Sequence, residues 1–262
     1  MSEAHPAAVA TPAGRLADRI ALITGASRGI GAAVARRFAA EGAHVVLVAR
    51  TAAGLEEVDD AIRENGGAAT LVPLDLTDFN AVDRLGQAVF DRFRRLDILI
   101  GNAGMLGTLT PIPHIQPQEW DRVLGINLTA NWRLIRSLDP LLRASDAGRA
   151  IFVTAGAARR PRAFWASYAI SKSALEMLVS IYASEVAHTR LRVNLIDPGS
   201  VRTRLRAQAY PGEDPGALPD PDEIAEAFVD LAEARCTRHG ERVGVPRPSG
   251  TVAANPERTA GH

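Results

Sequence analysis

Two residues four positions apart, Tyr168 and Lys172, open a stretch of helical spacing that runs to about His188. That spacing sets both side chains on one helix face. An ammonium beside a phenol favours the phenolate and lowers a pKa that is ~10 in isolation. Such a phenol can exchange a proton with a carbonyl or an alcohol near neutral pH. Taken alone, such a pair is more often a packed ring beside an amine whose stem lies on apolar surface.

A second group of residues points to a phosphate. Thr24-Gly25-Ala26-Ser27-Arg28-Gly29-Ile30-Gly31 follows a short apolar run and precedes a helical one. Glycines let the backbone turn tightly and approach a ligand, and the helix N-terminus beyond offers free N–H groups and partial positive charge to a pyrophosphate. The spacing is not G-x-G-x-x-G, and a strand-to-helix corner can also need glycine for packing alone. In dinucleotide folds an acid about twenty residues past such glycines binds the ribose 2′-hydroxyl, whereas an arginine accommodates a 2′-phosphate. Here the second apolar run ends in Ala49-Arg50 without an acid, and Arg28 sits in the glycine loop. Two guanidinium groups there favour NADP(H), because arginine makes bidentate, charge-assisted contacts to phosphate. The alternative is a pair of solvated surface arginines. Asp75, closing the third apolar run with Leu76 beside it, is placed to accept from an adenine amine or, like Asp78, to cap the next helix.

These residues need a scaffold, and the chain supplies a regular one. Short apolar runs at Ile20–Thr24, His44–Ala49, Ala69–Asp75, Leu96–Ile100, Ala150–Thr154 and Arg192–Ile196 are separated by segments of helical period. Ile30, Val34 and Phe38 recur on one helix face; Val82, Leu85, Val89 and Phe93 recur on another. Strict alternation of strand and helix predicts right-handed βαβ crossovers. The expected fold is α/β, a single-domain doubly wound parallel sheet of six strands, or seven with Glu241–Val245, with helices on both faces. Residues 15–245 would form that domain, with residues 1–14 and 246–262 disordered for want of apolar period. Thr203–Pro221, rich in proline, reads as a long irregular lid at the carboxyl edge of the sheet.

Composition narrows the function. Thirty basic against thirty acidic residues leave no net charge to steer the 262-residue chain toward nucleic acid or an acidic membrane. No apolar run approaches the ~20 residues of a membrane span, and the first eighteen residues lack the pattern of a secretory signal, so a cytoplasmic protein is expected. Cys236 is the one cysteine and the six histidines are scattered, so neither a disulfide nor a metal site is expected.

Taken together, Thr24-Gly25-x-x-x-Gly29-x-Gly31, Asn102-Ala103-Gly104, Asn127, Tyr168-x-x-x-Lys172 and Pro198-Gly199 resemble the short-chain dehydrogenase/reductase family over about Arg19 to Leu231. The resemblance implies a Rossmann fold and hydride transfer between NAD(P)H and a carbonyl/alcohol pair. Tyr168 would be the general acid/base, and Lys172 would lower its pKa and hold the nicotinamide ribose. Asn127 would anchor a water in the proton relay. Gly25, Ser27, Arg28, Gly29, Ile30, Gly31, Arg50, Asp75 and Leu76 would bind the cofactor's adenosine and phosphates. Asn102, Ala103 and Gly104 would line the adenine ribose, and Pro198, Gly199, Val201 and Thr203 would embrace the nicotinamide. For Asn127 the residue-level alternative is a polar helix side chain bonded to nearby backbone.

The sequence also departs from the family pattern. Ala155 stands thirteen residues before Tyr168, where the family commonly places a serine. A methyl group cannot donate a hydrogen bond to a substrate oxygen. Ala155 is either a substitution introduced to trap a ligand complex or the native residue of a weakened or non-catalytic member; a third option has Thr154 or Ser167 take over the role. Gly101 replaces an asparagine frequent in the family, which removes an amide from the turn. The short Glu241–Val245 segment weakens the case for a tetramer built on it, while pairing through the helices holding Asn127 and Tyr168 remains open.

Met105, Leu106, Ala155, Ala157, Phe164, Trp165 and part of Thr203–Pro221 would line the substrate side. Arg159, Arg160 and Arg162 could attract an anion or form a solvated face. The expected protein is a homo-oligomeric NADP(H)-dependent carbonyl reductase or alcohol dehydrogenase with activity reduced by Ala155. The alternative is a non-catalytic dinucleotide-binding regulatory protein of the same fold.

Overall fold

Every residue from Ala21 to Thr24 is buried, and so is every residue from Val45 to Ala49. Strands apolar at consecutive positions need cover on both faces, which is the situation of a parallel sheet. The computed structural model describes residues 14–245 and has seven parallel strands in one sheet. They are β1 (Ile20–Thr24), β2 (His44–Ala49), β3 (Ala68–Pro73), β4 (Ile98–Gly101), β5 (Arg149–Val153), β6 (Arg192–Asp197) and β7 (Arg242–Gly244). Their spatial order is β3-β2-β1-β4-β5-β6-β7. The segments read as disordered, 1–14 and 246–262, lie outside the described residues except for Gly14.

Alternation along the strands divides the core in two. Ala21, Ile23, Val45, Leu47, Ile98, Ile100, Ile151 and Ile196 pack beneath α1 (Gly29–Ala40), α2 (Ala52–Glu64) and α8 (Pro221–Ala232). Leu22, Val46, Val48, Leu99, Phe152, Val193 and Leu195 pack beneath α3 (Phe79–Phe93), α5 (Ala130–Ala144) and α6 (Ala166–Val186). Among the described residues no helix is long and apolar enough to cross a membrane.

The chain order reverses at β1. It builds outward through β2 and β3, then returns to place β4 on the other side of β1, which opens a crevice above the carboxyl ends of β1 and β4. Two local expectations need correction. Asp75 does not close the third strand, which ends at Pro73; its carboxylate accepts from the Thr77 N–H at 2.9 Å and the Thr77 hydroxyl at 2.8 Å, a turn that competes with the ladder. Asp78 is the helix cap, accepting from the Ala81 N–H at 3.0 Å. The stretch Thr203–Pro221 is not wholly irregular either. It contains α7 (Arg204–Ala209), capped by the Thr203 hydroxyl, and a 3-10 turn at Pro215–Ala217.

Candidate active site

The glycine turn is dictated by crowding. Gly25 has φ +67°, and a Cβ there would stand 2.9 Å from Asn102 Nδ2. A Cβ on Gly31 would run into the Gly25 carbonyl oxygen and reach 2.6 Å from Asn102 Nδ2, so glycine at both positions lets α1 start directly above β1. Thr24 ties this turn to β4: its hydroxyl donates to the Ile100 carbonyl at 3.2 Å and accepts from the N–H groups of Asn102 and Ala103 at 3.0 and 3.1 Å. Asn102 donates to the carbonyls of Thr24 at 2.8 Å and Gly25 at 3.4 Å. Thr24, the first residue of the glycine motif, is thus the knot between the two strand ends.

The turn at Gly101 has a steric reason for its departure from the family. A Cβ there would press into the Phe152 ring and stand 2.6 Å from Asn131 Oδ1. The space of an asparagine side chain is filled by those two residues.

Asn127 lies in a π-helical turn, Gly125–Thr129, between α4 (Pro117–Leu124) and α5. Such a widened turn aims one residue out of helical register, and it recurs at functional sites. The side chain is fully buried. Its Oδ1 accepts from the Met105 N–H at 2.8 Å, and its Nδ2 donates to the Met105 carbonyl and to Ser171 Oγ, both at 2.9 Å. Both amide hydrogens are therefore committed, one of them to a backbone carbonyl.

Tyr168 and Lys172 lie one helical turn apart on the buried face of α6. Lys172 is only 3% exposed and donates to the Val153 carbonyl at 2.8 Å; its Nζ is 6.0 Å from the centre of the Tyr168 ring. A Cβ on Gly104 would sit 3.4 Å from Asn127 Oδ1 and 3.5 Å from Lys172 Nζ, so these three residues converge. Burial pushes the Lys172 ammonium down to about 8. Burial also pushes the Tyr168 phenol above its ordinary value, with the negative charge of Asp197 acting the same way. The direction is opposite to the expected lowering by Lys172, and its causes are the desolvation of a buried phenolate and the charge of Asp197.

One cleft along the carboxyl edge of the sheet collects most of the remaining residues. Gly25, Ser27, Arg28, Gly29, Ile30, Arg50, Asp75, Leu76, Asn102, Ala103 and Gly104 line one end. Ala155, Tyr168, Lys172, Pro198, Gly199, Val201 and Thr203 line the other, as do the substrate-side residues Met105, Leu106, Ala157, Phe164 and Trp165. Gly31 and Asn127 do not line it; they act from behind. Arg28 and Arg50 are exposed at the adenosine end, and neither has an ion-pair partner among the described residues. The Thr77 backbone N–H, aided by the charges of Arg50 and Arg122, holds the Asp75 carboxyl below the usual carboxylate range. Arg122, in α4, has no signal in the sequence; the fold brings it to the cleft that Asp75 also lines.

A nicotinamide dinucleotide fits these residues. The glycine turn leaves backbone N–H groups open at the start of α1, and among the described residues the two guanidinium groups at the adenosine end pair with no carboxylate.

Thr154 lines the cleft but does not replace the missing serine, because its hydroxyl donates to Glu176 Oε1 at 2.9 Å. Ser167 is buried and does not line the cleft. Glu176, one turn beyond Lys172, also accepts from Arg242 Nε and Arg159 Nε, both at 2.8 Å, and Arg242 continues to Asp197 at 2.6 Å. Burial alone would raise the Glu176 carboxyl, but these donors hold it below its ordinary value. The regular spacing Tyr168, Lys172, Glu176 was a sequence signal for this residue. Arg242 and Asp197 had none, since only the β6–β7 pairing brings them together.

A family model described as short chain dehydrogenase matches residues 19–214. The chain is 40% identical over 220 residues to an oxidoreductase of Escherichia coli K12, YciK, covering 82% of this chain and 86% of that protein. A short chain dehydrogenase of Shigella flexneri 2a complexed with NADP superposes with a TM-score of 0.85 at 38% identity, covering 88% of this chain and 98% of that one. Another from Escherichia coli CFT073, complexed with NADPH, does so with a TM-score of 0.84 at 37% identity, covering 89% and 99%. With these matches, the parallel sheet and the Tyr168–Lys172 cleft, the chain belongs to the short-chain dehydrogenase family of oxidoreductases.

Proposed function

We propose that this protein interconverts a carbonyl and an alcohol with NADP(H), and that Ala155 reduces its turnover. The observation that carries the reading is the single cleft that joins the Tyr168–Lys172 pair to the glycine turn and its two arginines. The NADP and NADPH held by the Shigella and Escherichia relatives support the choice of cofactor.

When bound, the cofactor supplies or takes the hydride at the substrate carbon. Tyr168 Oη gives the proton to the carbonyl oxygen, or takes it from the alcohol in the reverse direction. Lys172, anchored on the Val153 carbonyl, keeps a positive charge beside the ring and offers its remaining hydrogens toward the ribose. Asn127 braces the segment after β4 against α6, and the second lone pair of its Oδ1 is what remains for a relay water. Asn102 holds the glycine turn, while Arg28 and Arg50 bind the 2′-phosphate. Pro198, Gly199, Val201 and Thr203 close over the nicotinamide end; Thr203 Cγ2 would lie only 3.5 Å from a Cβ at Gly29. Homo-oligomer formation through α5 and α6 completes the reading.

At Ala155 a donor to the substrate oxygen is missing. Loss of one such donor typically lowers rate by about 10²–10³. The test is Ala155→Ser assayed with NADPH against a panel of ketones, alongside NADPH binding by fluorescence. A gain of about tenfold or more on an accepted ketone supports an attenuated active site. NADPH binding without turnover of any ketone by the serine variant would instead establish the non-catalytic dinucleotide-binding protein that Ala155 also favours.

A further inference from the structure

Three basic residues precede α6, and the structure gives them different work. Arg159 is held by Glu176 at 2.8 Å, as described. Arg162 instead lies over two rings at the lip of the cleft. Its Cζ is 5.1 Å from the centre of Trp165 and 5.2 Å from that of Tyr210, and it donates to the Tyr210 phenol oxygen. Two other guanidinium groups of this corner are neutralised: Arg206, whose Cζ lies 3.8 Å from the centre of the Tyr210 ring, is clasped by Glu213 at 2.5 and 2.6 Å, and Arg202 pairs with Asp220 at 2.5 Å. Among the described residues Arg162 has no carboxylate partner, and a neutral phenol takes only one of its five N–H donors.

The rings under it lead inward to the reacting group. Trp165 meets Tyr168 edge-on with centroids 6.0 Å apart and leans on Tyr210 at 5.7 Å. Beside Trp165, Phe164 is 55% exposed and held at φ +74°, a left-handed backbone that a bulky side chain adopts only at a cost of order 1 kcal/mol. The turn is pinned by its carbonyl, which accepts from the Thr110 N–H at 3.1 Å. Strain of this kind, at the mouth of a cleft, is retained where a side chain has to be presented.

We propose that this corner is a specificity subsite for an acidic carbonyl substrate. The reacting carbonyl meets Tyr168, a flat apolar body lies along Trp165, and a carboxylate at the far end takes the free donors of Arg162. Arginine suits that end because its planar fork matches both oxygens of a carboxylate. The proposal rests on the reading of the cleft as a substrate-reducing site and adds the class of molecule it selects.

The test is calorimetric titration of 4-acetylbenzoate and of its neutral counterpart, 4-acetylbenzamide, into the full chain saturated with NADP⁺, where no turnover is needed. The acid should bind about tenfold or more tightly than the amide. In Arg162→Gln the two should bind alike while NADP⁺ still saturates the chain, and Arg162→Lys should recover part of the preference. A chain that takes no NADP⁺ overturns the reading of the cleft and the subsite with it. A chain that takes NADP⁺ but binds both ketones alike, binds neither, or keeps its preference in Arg162→Gln overturns the subsite alone.

Discussion

Lys172 is costly to bury, and the cost has a measurable pH signature. The side chain is 3% exposed, it donates to the neutral Val153 carbonyl, and burial lowers its ammonium from 10.5 to about 8. The unfolded chain therefore keeps that proton to higher pH than the native one. Between the two values unfolding takes up a proton, so stability rises with pH. For a shift of this size the gain between pH 8 and pH 10 is about 2 kcal/mol, approaching its full extent only above the unfolded value. Tyr168 acts oppositely and later. Its folded phenol is raised, so above pH ~10 the unfolded chain loses the proton first and stability falls again. Replacing Lys172 by Met removes the first effect. At pH 7 the relief of a buried ammonium is worth about 3 kcal/mol and the lost hydrogen bond to Val153 about 1, leaving the variant more stable by about 2 kcal/mol. Urea unfolding followed by tryptophan fluorescence, at intervals from pH 7 to 10 on both proteins, measures this directly. Groups shared by the two proteins cancel in the difference. Equal pH slopes, or a variant less stable than the parent at pH 7, would refute the account of Lys172 as a charge held at the expense of the fold.

Two further outcomes are expected. Arg28→Gln and Arg50→Gln should each weaken NADPH binding by about tenfold to a hundredfold, the worth of a charge-assisted contact, and leave NADH binding little changed; tighter binding of NADH than NADPH by the parent would contradict this. Met177, 63% exposed, shares the outer side of the α5–α6 layer with exposed Ile181 and Trp132, so Met177→Glu combined with Ile181→Glu should turn an oligomer into monomers in sedimentation velocity. A parent that already sediments as a monomer would dispose of the pairing.

The alternation of apolar runs with helical segments determined the order of elements, and two strands, Ile20–Thr24 and His44–Ala49, fall where the runs do. Strand ends were less legible, because local side-chain bonds such as Asp75 to Thr77 compete with the ladder at its last residues. The glycine turn and the i, i+4 pair on α6 were visible because each is set by near neighbours in the chain. What lies across the sheet was not. Asn127 reaching Met105 and Ser171, Thr154 turning to Glu176, Arg242 joining Glu176 to Asp197, and Arg162 settling between Trp165 and Tyr210 all depend on side chains that meet only once the strands are in register. The direction of the Tyr168 shift belongs with these. Chain spacing placed an amine one turn from a phenol, but the cost of a charge depends on how much water surrounds it, and only packing in three dimensions removes that water.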